Sequence, residues 1–273
     1  MQSNIHTFKD LDETFQVLNR KILHHPGDHV EFIRGSQGFV EDLMIKVEEL
    51  KSTLDLAQIA YDPPTKWKML VRDYIDPEEY LEFWDQLTKV TGTSFQFRFR
   101  KRKGPNGPCL IAMVFTRATS RVPWTRVKVF WRTAELQRKW GADLVLLSNM
   151  FDQVPTQVKD LIQIEQATLV LAQAFQSWRQ VGPLLHLFVD DIEELDQEHT
   201  YTKRAIDSYH RVYNDPDAPK AKYAPVARMQ AFHKARKNGE IEHTDSSKLN
   251  IWGALKGHTD IDAALDEYRA GLE

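Results

Sequence analysis

The side chain with most chemical potential in this chain is Cys109, its only cysteine. It follows Gly104-Pro105-Asn106-Gly107-Pro108 and opens the apolar run Leu110–Phe115. A tight turn feeding such a run predicts a strand with the thiol at its mouth, a place where a nucleophile could sit. The alternative is a small packed hydrophobe, which is what a free cysteine usually is. A second candidate is Arg34, followed by Gly35-Ser36, where a guanidinium beside backbone donors suits a phosphate. An ordinary surface turn has the same composition.

The residues after Cys109 narrow the choice. Phe130-Trp131-Arg132-Thr133-Ala134-Glu135, continuing to Asp143, resembles the nucleotide-binding segment of the thymidylate synthase family, which includes the pyrimidine nucleotide hydroxymethylases. In that family a Pro-Cys pair precedes one strand and a second strand ends in Arg-Ser. An acidic residue follows two positions after the Ser, and a base-reading Asn or Asp lies further on. The resemblance makes Cys109 the nucleophile and gives Arg132 and Thr133 the 5′-phosphate. It puts Glu135 at the acidic position and Asp143 at the base-reading position, without a gap between Arg132 and Asp143. It also implies that Arg34 is a phosphate ligand, that a helix-borne Glu shuttles protons (Glu79 is the candidate), and that His186 contacts the sugar. The family's His-x-Tyr reads His186-x-Phe188 here, and Leu110 stands where a His follows the nucleophile.

The implied chemistry is one-carbon transfer. Carbon 5 of a pyrimidine becomes nucleophilic once a thiolate adds at carbon 6, and arginines near the thiol would favour its ionised form. The donor in the family is 5,10-methylenetetrahydrofolate, with no metal; water as final acceptor gives hydroxymethyl, hydride gives methyl. Asp143 points to the base. A carboxylate accepts from the amino group of cytosine, whereas uracil's carbonyl is better met by an amide. A helix cap is the plain alternative for Asp143. The expectation is 5-hydroxymethylation of CMP or dCMP by a homodimer. Reductive methylation of dUMP or dCMP, and a non-catalytic nucleotide- or nucleic-acid-binding protein, are the alternatives.

The elements that must position these residues are read from periodicity. A helix is expected from Thr7 to His25, with Asp10 or Asp12 as N-cap, then a strand pair over 29–54 turning at Arg34-Gly35-Ser36. A helix covers Lys66 to Tyr74, and Asp76-Pro77-Glu78-Glu79 starts another that buries Tyr80, Leu81, Trp84 and Leu87. The 94–103 stretch alternates Phe95, Phe97 and Phe99 with basic residues. That spacing predicts a strand with an aromatic core face, or less simply a single-strand nucleic-acid surface. Arg117, Arg121 and Arg126 crowd the next connection, where some could reach a phosphate across a dimer. Leu144 to Arg179 reads as mostly helical, with Val158–Trp178 a central buried helix. Residues 184–191 read as a strand carrying His186, followed by a helix and a polar, mainly helical extension over 218–273.

With 273 residues the chain can bury one large core, and the reading is a single α+β domain with a curved mixed or antiparallel sheet flanked by helices. That α/β class is also the family's. Net charge is 36 − 39 = −3, which argues against general polyanion binding and makes nucleic acid a poor partner. One cysteine excludes an internal disulfide and fits a reducing compartment. A polar opening and no apolar run long enough for a bilayer lead to the expectation of a cytoplasmic protein without membrane contact.

Overall fold

Alternating burial builds the centre of the molecule. In the computed structural model, which describes residues 5–24, 30–32, 35–56, 59, 77–99, 109–137, 139–214 and a few isolated positions between 231 and 239, seven strands form one open mixed sheet. They are β1 (Ile5–Asp10), β2 (Val30–Phe32), β3 (Gly35–Glu49), β4 (Ser94–Arg98), β5 (Leu110–Thr116), β6 (Trp124–Glu135) and β7 (Ile162–Ser177). Their order is β1-β3-β7-β6-β5-β4, with β2 paired to the start of β3. β1/β3 and β6/β7 run parallel and the other pairs antiparallel. The expected α+β class with a mixed sheet and helices is therefore present.

Register aligns the inward side chains into rows. Phe97, Met113, Val129, Leu169 and Ile45 lie opposite one another across five strands, and all are buried. Each such side chain contributes about 1.5–3 kcal/mol by leaving water. Helices cover this face: α1 (Leu11–His24), α2 (Pro77–Lys89), α3 (Lys139–Asp152) and α6 (Thr200–Tyr213), with the short α4 (Trp178–Val181) and α5 (Leu185–Phe188) between β7 and α6. α2 buries Tyr80, Leu81, Trp84 and Leu87 as its spacing predicts, and Phe83 stacks on Phe95 with centroids 5.4 Å apart. The aromatic side of the 94–99 stretch is thus spent on the core. On the other sheet face Ala112 and Thr168 are buried, Phe130 and Val170 half-buried and Met44 exposed. Ala112, Phe130, Val170 and Met44 cross it as an apolar row, beside Arg126 and Lys128 on β6 and Asp42, Lys46 and Glu48 on β3.

Strand pairing lapses along one line of the sheet. Ile111 is a bulge between Leu110 and Ala112 in β5. The ladder also skips Arg132–Ala172 in β6/β7 and Asp42–Ala172 in β3/β7, without changing register. Asp42 has φ 53°, a left-handed conformation that Asp tolerates better than most side chains.

Three expectations fail. The first helix does not begin at Thr7: residues 5–10 form β1, and Asp10 caps α1 by accepting from the Glu13 N–H at 2.9 Å. Val158–Trp178 is not a helix. After a 3-10 turn over Thr156–Leu161, it is the 16-residue strand β7. β7 is paired on both edges at the middle of the sheet, and its Ala167–Leu171 run, small or apolar at every position, reads as a buried helix does. The buried helix is instead α3, solvent-shielded from Trp140 to Met150. Residues 184–191 are not a strand either. Leu184, Leu185 and Phe188 are buried at helical spacing, following a turn entered through Pro183. The expected helix over Lys66 to Tyr74, the Gly-Pro-Asn-Gly turn, Arg34 and the 218–273 extension lie outside the described residues, save for isolated positions in the last.

Candidate active site

Antiparallel pairing brings the start of β5 beside the end of β6. Cys109 occupies the bend before Leu110, half-buried, and its carbonyl accepts from the Arg132 N–H at 2.9 Å. Its Sγ lies 3.7 Å from Thr133 Oγ1, close enough for a weak S–H···O or O–H···S bond. The nucleophile candidate and the Arg-Thr pair are therefore neighbours, although 24 residues separate Cys109 from Thr133.

Asp143 approaches the same strand from below. It sits in the second turn of α3, 2% exposed, and its Oδ2 accepts from the Trp131 indole N–H at 3.1 Å. It is inside the helix, four residues past the start, so the capping alternative does not apply. Glu135 closes β6 at 7% exposure; its carboxylate accepts from Gln137 Nε2 at 3.3 Å and faces Lys139 Nζ at 3.5 Å. Gln137 also donates to Gln180 Oε1 at 3.1 Å, which ties the strand end to α4. Cys109, Arg132, Thr133, Glu135 and Asp143 thus gather around the Cys109 end of the β5–β6 pair.

The remaining candidates lie elsewhere or cannot be placed. Arg34 is outside the described residues. Glu79, half-buried at the start of α2, lines a groove against edge strand β4 with Glu82, Gln86, Gln96 and Arg98. That groove is one strand from Cys109. His186 is exposed on α5 and its ring meets Tyr213 and Tyr209, with centroids 5.2 and 6.1 Å away. Arg117, Arg121 and Arg126 lie at the far end of β5 and β6, about 20 Å from Cys109 along the strand. There the Arg117 guanidinium donates to Gly92 O at 3.0 Å and stacks 4.2 Å from the Trp124 ring centroid.

Two members of the cluster escaped sequence reasoning. Trp131 looked like any inward aromatic of a strand, and only its spacing of 12 residues from Asp143 hinted at a bond. Gln137 carried no signal beyond its closeness to Glu135. Among the described residues, no group of three or more His, Cys, Asp and Glu side chains could hold a metal ion. No helix among them is long and apolar enough to cross a membrane. No family model matches the chain, and no curated protein matches it.

Proposed function

We propose that this protein is a one-carbon transferase that hydroxymethylates carbon 5 of a cytidine nucleotide, CMP or dCMP. The observation that carries the reading is the meeting of Cys109 with Thr133 at 3.7 Å while Asp143 is held under the residue before Arg132. The resemblance read from sequence requires a thiol, a phosphate-binding pair and a base-reading side chain at one place, and the closeness of Cys109, Thr133 and Trp131-bound Asp143 supports that reading.

The Cys109 thiolate adds to carbon 6 and places enamine character on carbon 5. Carbon 5 then takes the methylene of the folate and loses its proton; tetrahydrofolate leaves to give an exocyclic methylene, water adds to that carbon, and the Cys109–carbon 6 bond breaks. Methylenetetrahydrofolate is the second substrate and supplies the one-carbon unit. Arg132 and Thr133, with Arg34 by the resemblance, hold the 5′-phosphate and Asp143 accepts from the cytosine amino group, while Glu79 and His186 lie away from this cluster and take no step. On a regular strand Arg132 and Thr133 would project to opposite faces. The ladder keeps its register through Arg132, so the two would meet a phosphate from the two sides of the strand. The protein acts in the cytoplasm as a homodimer that meets through the sheet face carrying Phe130 and Val170.

Incubation with methylenetetrahydrofolate and CMP, dCMP, UMP or dUMP, read by mass spectrometry, tests this. A gain of CH₂O on a cytosine nucleotide alone is expected. A gain of CH₂ makes the enzyme a methylase, and turnover of uracil overturns the role of Asp143. Binding of oligonucleotides that survives Cys109→Ala, with no product from any nucleotide, would leave a binding module.

A further inference from the structure

The end of the sheet away from Cys109 holds a cavity of about 670 Å³, within the range of small-molecule sites. β3 and β7 stay paired as far as Val47 and Ala167, and there the two strands part. The last turn of α3, from Ser148 to Asp152, closes the split from the helix side. Along β7, Ile164 to Gln173 spans about 30 Å, and Gln173 is the partner of Thr133, so this cavity is remote from the Cys109 cluster. Its loop wall is pinned. Asp12 accepts from the Ser52 hydroxyl at 2.6 Å and from the Thr53 N–H and hydroxyl at 2.8 and 2.7 Å. The Ser52 N–H donates to Ser148 Oγ at 2.9 Å, which ties the same loop to α3. A wall held in this way is preorganised for a ligand.

The lining combines three chemistries. Leu50, Phe151, Ile162 and Ile164, all half-buried, give it an apolar wall. Glu48 and Asp152 are exposed carboxylates on its rim, and neither has an ion pair or hydrogen bond among the described residues. Glu49 is answered by Lys51 at 2.8 Å, so the rim stays negative. Asp152 also ends α3, at the negative pole of the helix dipole, in a last turn without a basic residue. Like charge is placed on like there, and a bound cation relieves it. Ser148 faces the cavity at 8% exposure; its Oγ accepts from Ser52, and its own hydrogen has no acceptor among the described residues. We propose that this cavity binds an organic ammonium ion with an apolar body and a neighbouring oxygen, the chemistry of an aryl amino alcohol. Glu48 and Asp152 meet the ammonium, Phe151 and the two isoleucines take the apolar body, and the Ser148 hydroxyl donates to the oxygen. An anion would face the same carboxylates, and a bare metal ion would leave the apolar wall unused.

The test uses the full chain and two probes of one shape, phenylethanolamine and the uncharged phenylethanediol. Dissociation constants are measured by calorimetry at low and high salt, with thermal melting recorded beside them. The amine is expected to bind with a constant of about 0.1–1 mM, and the diol about fivefold more weakly. Added salt weakens the amine and leaves the diol unchanged. Glu48→Gln combined with Asp152→Asn raises the amine's constant by about fivefold and brings it level with the diol's. Both exchanges keep side-chain shape at exposed positions, so the fold survives them. Ser148→Ala raises the constants of both probes by about threefold, the worth of one hydrogen bond. Equal binding of amine and diol by the parent overturns the proposal, as does no binding of the amine below about 10 mM. A double variant that holds the amine as the parent does also overturns it, and so does a Ser148→Ala protein with unchanged constants. None of these results bears on the one-carbon reading, which is tested by product formation at the other end of the sheet.

Discussion

Cys109 and Thr133 are the smallest unit on which the proposed chemistry depends, and they separate two effects. Cys109→Ala should keep nucleotide affinity within about threefold while product formation disappears, because the thiol acts after binding. Calorimetry and a carbon-5 tritium-release assay on the same preparation check this. Thr133→Val keeps the shape and removes the hydroxyl, so the dissociation constant for CMP should rise by about 5–15-fold, the worth of one hydrogen bond. An unchanged constant would take Thr133 out of the phosphate site. The residues of this cluster were largely legible, since Cys109, Arg132, Thr133 and Asp143 stand at telling spacings in the chain. Trp131 and Gln137 were not, because their roles come from a hydrogen bond across elements. His186 shows the opposite error: it was placed on a strand by a short apolar run, and its partners Tyr209 and Tyr213 lie on a helix that comes later in the chain.

Among the elements, close helix contacts make two glycines informative. A Cβ at Gly182 would stand 2.6 Å from both Ala205 O and Ser208 Cβ of α6. The carbonyl cannot yield without moving the helix, so Gly182→Ala should cost about 2–3 kcal/mol. At Gly141 of α3 the new Cβ would meet Phe15 Cε2 at 2.9 Å, a ring that can shift, and alanine favours the helix by up to about 1 kcal/mol. Gly141→Ala should therefore cost about 1 kcal/mol or less, and urea denaturation should rank the two in that order. Elements with one wet face were readable: α2 and β4 follow their periods. β7 was not, since its central Ala167–Leu171 run is small or apolar at every position and reads as a buried helix, although Gln163, Glu165 and Ala172 are exposed. The same loss of a polar side hid α3 as the true buried helix.

At the level of the whole molecule, the sheet face that carries Phe130 and Val170, half-buried among the described residues, is the one the proposed homodimer would use. β6 carries Arg126 and Lys128, β3 carries Asp42 and Glu48 with Lys46 between them, and the neutral side chains of β7 separate the two strands. A twofold axis through β7 would set the basic strand of each copy over the acidic strand of the other, with Phe130 and Val170 at the centre. Phe130→Glu should then convert a dimer to a monomer in light scattering, and a parent that is monomeric at micromolar concentration would remove the dimer from the proposal. The line of broken pairing through Ile111, Arg132, Ala172 and Asp42 has a consequence of another kind. It is a crease: the β6/β7 and β3/β7 ladders skip at one height, and the Ile111 bulge of β5 lies a residue or two away, near Cys109. Amide protons at Ala172 and Asp42 should exchange with deuterium well before those of Leu169 and Ile45, three residues away in the same strands. The sheet would flex about that crease as two stiff plates, and the plate edge nearest Cys109 is the one that would move when a nucleotide is clasped.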